Sequence, residues 1–477
     1  MKMVVRVLIA FMVPVFSFSQ GKIGVIVNKD IATAIQPKIQ QYVADLAAIE
    51  KVAVWLNNSD FNALSSASAL RDSLRHHYIH GNLTGVVFVG DLPITYYELR
   101  EDVHGIYSFF PCDVYFMDLN GVWLDTATNG TWGVTGYFDQ HVGNRTAEIW
   151  MSRIIGSNTP ALGNELTVLN NYFDRLHLRM TGQDDLPRKM CIFGSDVEFP
   201  TMESWINDPL LGYKPDEMVV YRRSTPAMTD SQQNWIKVQQ EGVEYSLVFE
   251  HSYEYGHSMN PFFSHHDYLS MTPQSNSRFY YLVAACLVSR YTVPNSLGLL
   301  YAMGHQGLLA IGSTKESGIG GGREVFHKLL GQNHSFGAAH KEWHNKIVLD
   351  TTVPEHIQEY MLKACYGFVI MGAGNLKLNK YNVITGSDPK PGKQQVNVFP
   401  NPFSSSTSIS YTLAEPGNVV ISVYNLQGVL VSTLVNANQL AGEHVVEFSG
   451  SDLPSGLYHV RVQSANKIET GKMMVAK

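Results

Sequence analysis

Cysteine is scarce: the chain has four in 477 residues, Cys112, Cys191, Cys286 and Cys365. No two of them form a Cys-x-x-Cys pair, which excludes zinc-ribbon and thioredoxin-type chemistry. Four thiols are too few for a disulfide framework in so long a chain, so at least one is expected free. Basic residues are not in excess either. Against 35 Lys and Arg stand 42 Asp and Glu, a formal net charge of -7, so the global positive field that holds nucleic acid or an anionic membrane is missing. No nucleic-acid partner is expected. Long apolar runs are absent too: Val7 to Phe16 is shorter than the ~20 residues that cross a bilayer, and nothing later is apolar enough. The mature chain should therefore carry no membrane span. His-Glu-x-x-His does not occur, which removes the helical zinc-hydrolase signature.

What is present is an apolar fraction of 45%, enough for a packed core, over a length that implies two or three domains. Residues 1–20 read as a cleavable signal peptide. Lys2 and Arg6 precede the short apolar run, and Ser17-Phe18-Ser19-Gln20 suits cleavage; an N-terminal anchor is the alternative. From residue 21, apolar runs at 23–27, 52–55 and 85–89 alternate with helical spacing at Ile31 to Leu46 and 67–77. After a loop-rich stretch, Cys112 to Trp150, the alternation resumes. A helix is expected over 160–180 with Leu162, Leu166, Leu169, Phe173 and Leu176 on one face, then strands at 189–193, 246–249, 280–284 and 308–311. This pattern predicts an α/β body over 21–384, a mostly parallel sheet with helices on both faces. Two subdomains, 21–180 and 181–384, are one way to divide it. Residues 385–394 have linker composition, and 395–477 lose the helical period, which predicts a small all-β sandwich.

Ligands of such sheets bind outside the carboxyl ends of the strands, and two of those ends carry reactive groups. Ser246 to Phe249 runs into Glu250-His251-Ser252-Tyr253-Glu254, and Tyr280 to Ala285 runs into Cys286. Neighbouring parallel strands would bring imidazole and thiol to one rim, where a histidine can take the proton of a cysteine nucleophile. Cysteine at the end of an apolar strand is also a common small core residue. His257, in Tyr255-Gly256-His257-Ser258, competes with His251 for the role.

Resemblances sharpen both halves. Val398-Phe399-Pro400-Asn401-Pro402-Phe403, Val423 to Gly428 and Leu453 to Tyr458 stand in the order of the type IX secretion C-terminal sorting domain, which implies passage across an outer membrane by contact with the secretion machinery through 395–477. The body resembles the gingipain-like cysteine peptidases, which share the caspase-like fold. The resembling segments are Gly85 to Asp91, Phe110 to Gly121, Glu148 to Ile154 with Ser152 in place of a glycine, Gly307 to Thr314, and Phe368 to Leu376. In that family a histidine after one strand and a cysteine after the next form the catalytic pair. The resemblance therefore implies Cys286 as nucleophile, His251 as general acid/base and the Ser252 backbone N–H as oxyanion donor. Asp196 would bind a basic substrate side chain, and Glu254 is a second substrate-binding candidate. Glycines usually flank this histidine in the family; here Glu250 and Ser252 do.

The expected partner is thus a protein or peptide substrate, with no redox or nucleotide cofactor. Asp- and Asn-rich loops offer oxygen ligands for a structural calcium ion. Two other readings stay open: an inactive peptidase-like scaffold that binds surface proteins, and a metallohydrolase using His251, His257, His265, His266 and Asp267.

Overall fold

The computed structural model describes residues 21–100, 107–126, 136–184, 186–194, 199, 202, 205, 209–222, 231–271, 277–316, 323–378, 396–399, 401, 403–413, 417–425, 430–439, 442–464 and 467–476. The expected signal peptide, the linker 385–394 and Asp196 lie outside them. Two units divide at Val383 and Ile384.

Ten strands of the first unit form one sheet and are numbered along the chain: β1 Lys22–Val27, β2 Ala53–Asn57, β3 Leu83–Val89, β4 Trp150–Ile154, β5 Met190–Gly194, β6 Met218–Arg222, β7 Tyr245–Phe249, β8 Phe279–Leu282, β9 Leu309–Ser313 and β10 Phe368–Gly372. Their order is β6-β5-β7-β8-β9-β10-β4-β3-β1-β2. Every residue of β4, β5, β7, β8, β9 and β10 is buried. Both sheet faces of these strands are covered, so they carry mostly apolar residues; β2, at one edge, has no buried residue.

All neighbours pair in parallel except β9 with β10. The expectation of a mostly parallel sheet holds within two blocks that run in opposite senses. Strands β5 to β9 point one way; β1 to β4 and β10 point the other. The carboxyl ends of the two blocks therefore lie at opposite edges. β10 joins them, pairing with β9 on one side and with β4 through Met371 and Arg153 on the other. It ends at Gly372 with φ 106°, where a Cβ would stand 2.1 Å from the Leu308 carbonyl oxygen. Gly372→Ala should cost about 3 kcal/mol through this clash and the positive φ, read as a lower urea midpoint at unchanged slope.

The expected helix over 160–180 is broken. Pro160–Leu162 is a single 3-10 turn, Gly163 takes φ 130°, and Asn164 then caps Glu165–Met180 by accepting the Thr167 N–H. Capping by asparagine satisfies an otherwise orphaned amide. The buried face consists of Val168, Leu169, Tyr172, Phe173 and Leu176, while Leu166 is exposed.

The second unit is the expected sandwich. Strands 397–399, 406–413 and 442–449 form one antiparallel sheet, and 417–425, 430–439, 456–464 and 467–475 the other. Val419, Ile421 and Val423 are buried at every second position, the period that turns one strand face inward.

Candidate active site

β7 and β8 are hydrogen-bonded neighbours, with Ser246 beside Tyr280 and Val248 beside Leu282. His251 is the second residue after β7 and Cys286 the fourth after β8. Both leave the sheet at the carboxyl edge of the same parallel block. His251 is exposed, with its ring 5.0 Å from that of Phe199. Cys286 is half-buried.

The expected strand through Ala285 stops at Leu282. Val283 still donates to Val248 O at 3.0 Å, but the chain then reverses: Leu287 N–H donates to Lys315 O at 3.0 Å and Ser289 N–H to Ser313 O at 3.1 Å. Cys286 stands at this reversal, and Leu287 takes φ 58°, a left-handed conformation that is costly for a branched side chain. Strain of this kind concentrates where surrounding structure fixes a functional loop. Sequence alone hid it, because Ala284 and Ala285 continue the apolar run.

The returning segment is anchored to the other block of the sheet. Tyr291 OH donates to Asp113 Oδ1 at 3.0 Å, and Asn158 donates to Tyr291 O at 2.9 Å. Asp113 also receives Arg153 Nε at 2.9 and 3.1 Å. Arg153 and Asp113 are 1% and 2% exposed, and the guanidinium lies over the rings of Phe88, Phe116 and Tyr291. Nearby Arg290 donates to Phe109 O at 3.0 Å. Removing one partner of a buried ion pair strands the other charge, at about 3–5 kcal/mol. Arg153→Met should lose stability in that range by urea denaturation, whereas Asp113→Asn with Arg153→Met should lose less.

On the histidine side, residues 252–253 and 256–257 form a hairpin, joined by 263–264. Ser258 N–H donates to His251 O at 2.7 Å, which makes Ser252 and His257 the next, non-hydrogen-bonded pair of the ladder. The Ser252 N–H consequently points away from its partner strand, at the hairpin's outer edge. Side chains approach closely in such pairs; Ser252 Oγ lies 2.6 Å from His257 Nδ1 and donates to Glu250 O at 3.0 Å.

His257 is wholly buried, and burial pushes its pKa down to about 3. Its Nε2 is 3.0 Å from Tyr301 OH, and that oxygen accepts from Trp235 Nε1 at 3.2 Å. Both ring nitrogens are engaged, so of the two histidines His251 is the one open to solvent. Glu250 is fully buried. Glu254 is half-buried in the hairpin turn, and its carbonyl accepts Leu297 N–H at 2.7 Å. His265 and His266 open the short helix His265–Ser270, capped by Ser264 with Asp267. Among the described residues no three His, Cys, Asp or Glu side chains converge as metal ligands. Ser152 Oγ accepts Gly374 N–H at 2.9 Å.

None of the four cysteines, all among the described residues, is in a disulfide. Cys112, Cys191 and Cys365 are buried, and desolvation raises the pKa of each well above that of an exposed thiol. They behave as core residues.

Comparison with known proteins bears on the second unit. Residues 397–476 match the family model described as the secretion system C-terminal sorting domain. The module therefore marks the chain for export through the outer membrane by the type IX route, to the cell surface or the medium, and implies contact with that machinery. No helix among the described residues is long and apolar enough to cross a membrane. Among solved structures, the chain is similar to PorZ, described as an essential bacterial surface component of the type-IX secretion system of Porphyromonas gingivalis, with 19% identity, 17% of this chain and 11% of that one covered, and a TM-score of 0.14. An engineered protein is similar at 11% identity, with 68% and 85% covered and a TM-score of 0.16. No curated protein matches significantly.

Proposed function

We propose that the body is a secreted cysteine endopeptidase of the gingipain-like type, with the caspase-like fold. One observation carries the reading: His251 and Cys286 follow adjacent, hydrogen-bonded parallel strands and leave the sheet at one rim. Cys286 would transfer its proton to His251, and its sulfur would attack the scissile carbonyl carbon. The resulting oxyanion would accept a hydrogen bond from the Ser252 N–H. Collapse would break the C–N bond as His251 protonates the departing amine, leaving a thioester on Cys286. Water, deprotonated by His251, would then release the acid and restore the thiol. Export suits this chemistry, since a broad peptidase is less harmful outside its maker.

The test is covalent labelling with a peptidyl chloromethyl ketone, followed by peptide mapping. A single adduct on Cys286, with the three buried thiols unmodified until denaturation, is the expected result. No adduct on Cys286 would leave a peptidase-shaped binding protein. Hydrolysis that survives Cys286→Ala but is lost to a chelator would instead favour metal-dependent chemistry in the histidine-rich segment.

A further inference from the structure

The family's glycine beside the candidate histidine is replaced here by Ser252, and the hydroxyl this introduces is not idle. It closes a buried chain of hydrogen bonds in which every donor is used once. Trp235 Nε1 donates to Tyr301 OH at 3.2 Å, Tyr301 OH to His257 Nε2 at 3.0 Å, His257 Nδ1–H to Ser252 Oγ at 2.6 Å, and Ser252 Oγ–H to Glu250 O at 3.0 Å. Only one arrangement of protons satisfies it. Ser252 Oγ has a single hydrogen, committed to the Glu250 carbonyl, so Nδ1 of His257 must be the donor and Nε2 the acceptor. Trp235, His257 and Tyr301 are at or near zero exposure, where an unmade bond is expensive. The chain thus runs from the core helices Ser231–Glu241 and Leu297–Met303 to the residues on either side of His251.

We propose that His257 is a positioning residue for the site: through Ser252 Oγ it fixes the turn 250–252, so that the Ser252 N–H faces the rim. Ser252 and His257 are then a coupled pair. A glycine would need its conformation set by the backbone alone; the serine is held from behind by the imidazole. His257 touches no reacting atom and transfers no proton. The catalytic consequence rests on the peptidase reading, whereas the conformational one does not.

Two measurements separate those parts. The first is hydrogen exchange of the segment 250–258 in full-length protein carrying Cys286→Ala. His257→Phe should raise its exchange at least tenfold, with other body segments unchanged. His257→Asn, whose Nδ2 stands near the lost Nδ1 and can donate to Ser252 Oγ, should restore most of the protection. Unchanged exchange in His257→Phe, or equal loss in the Phe and Asn variants, would overturn the proposal. The second is turnover with Cys286 intact. His257→Phe and Ser252→Ala should each lower kcat roughly 10- to 100-fold, below the full loss of an oxyanion donor. KM and the rate of Cys286 alkylation by iodoacetamide should hold, and the double variant should be no worse than either single one. A proportional fall in alkylation, or additive losses, would count against positioning. If the wild-type protein hydrolyses nothing, the peptidase reading fails and the exchange experiment still decides the role of His257.

Discussion

Cys286→Ala is expected to abolish peptide hydrolysis, and His251→Ala to reduce kcat by about 10²- to 10⁴-fold, the range that general acid–base catalysis supplies. The two losses should not add. A nucleophile and its proton acceptor act as one unit, so His251→Ala combined with Cys286→Ala should match Cys286→Ala alone. Both positions lie in loops beyond the sheet, so thermal unfolding of the variants should stay close to that of the parent. The pH dependence of alkylation gives an independent readout. With His251 present, the thiolate should persist to lower pH than in His251→Ala, because a nearby imidazolium favours it. His251→Ala with parental turnover would remove the proposed dyad, and His257 is too enclosed to replace it.

Acid should destabilise the body steeply between pH 6.5 and 4. Burial holds His257 and His340 near pKa 3 and His344 near 4. In the unfolded chain each returns to about 6.5. Across that interval the unfolded state binds protons that the folded state excludes. Stability is therefore full above pH 6.5 and falls as pH drops, by about 1.4 kcal/mol per pH unit for each histidine and about 4 for the three together. His340 and His344 lie one turn apart on the helix Phe336–Val348. The ring nitrogens of His340 meet no hydrogen-bond partner among the described residues, and His344 Nε2 lies 3.0 Å from Arg145 O. Urea denaturation of Cys286→Ala protein at pH 7.5, 6.5, 5.5 and 4.5 measures the slope. His340→Leu should flatten it by about one proton's worth, and a ΔG constant from pH 7.5 to 5.5 would refute the assignment.

Much of the body was legible because its strands are covered on both faces. Ile23 to Val27, Gly85 to Val89 and Leu247 to Phe249 carry unbroken apolar runs that admit little else. The sandwich announced itself through ordered motifs at strand ends. Local pattern failed where the deciding partner was distant. Nothing near Phe368 says that its strand will pair against β9 in one sense and with β4 in the other. The reversal at Cys286 depends on Lys315 and Ser313, both remote in sequence. The break at Gly163 could have been read from Gly163-Asn164, a stop followed by a cap, but the leucine period on both sides masks it. At the site, the adjacency of two strands was inferable from their spacing. The fixed proton order through Trp235, Tyr301, His257 and Ser252 was not, since it joins four elements that only the packed core brings together.

The strand that unites the two blocks is the last of the ten to be synthesised, yet it occupies an interior place in the sheet. Until residues 368–372 are available, β9 and β4 each present an open edge, and open edges invite pairing with other chains. Long-range closure of this kind slows folding. The sheet of the body therefore cannot close until Gly372 has been synthesised. A truncation just before Phe368 should leave sticky half-sheets rather than a smaller version of the same protein.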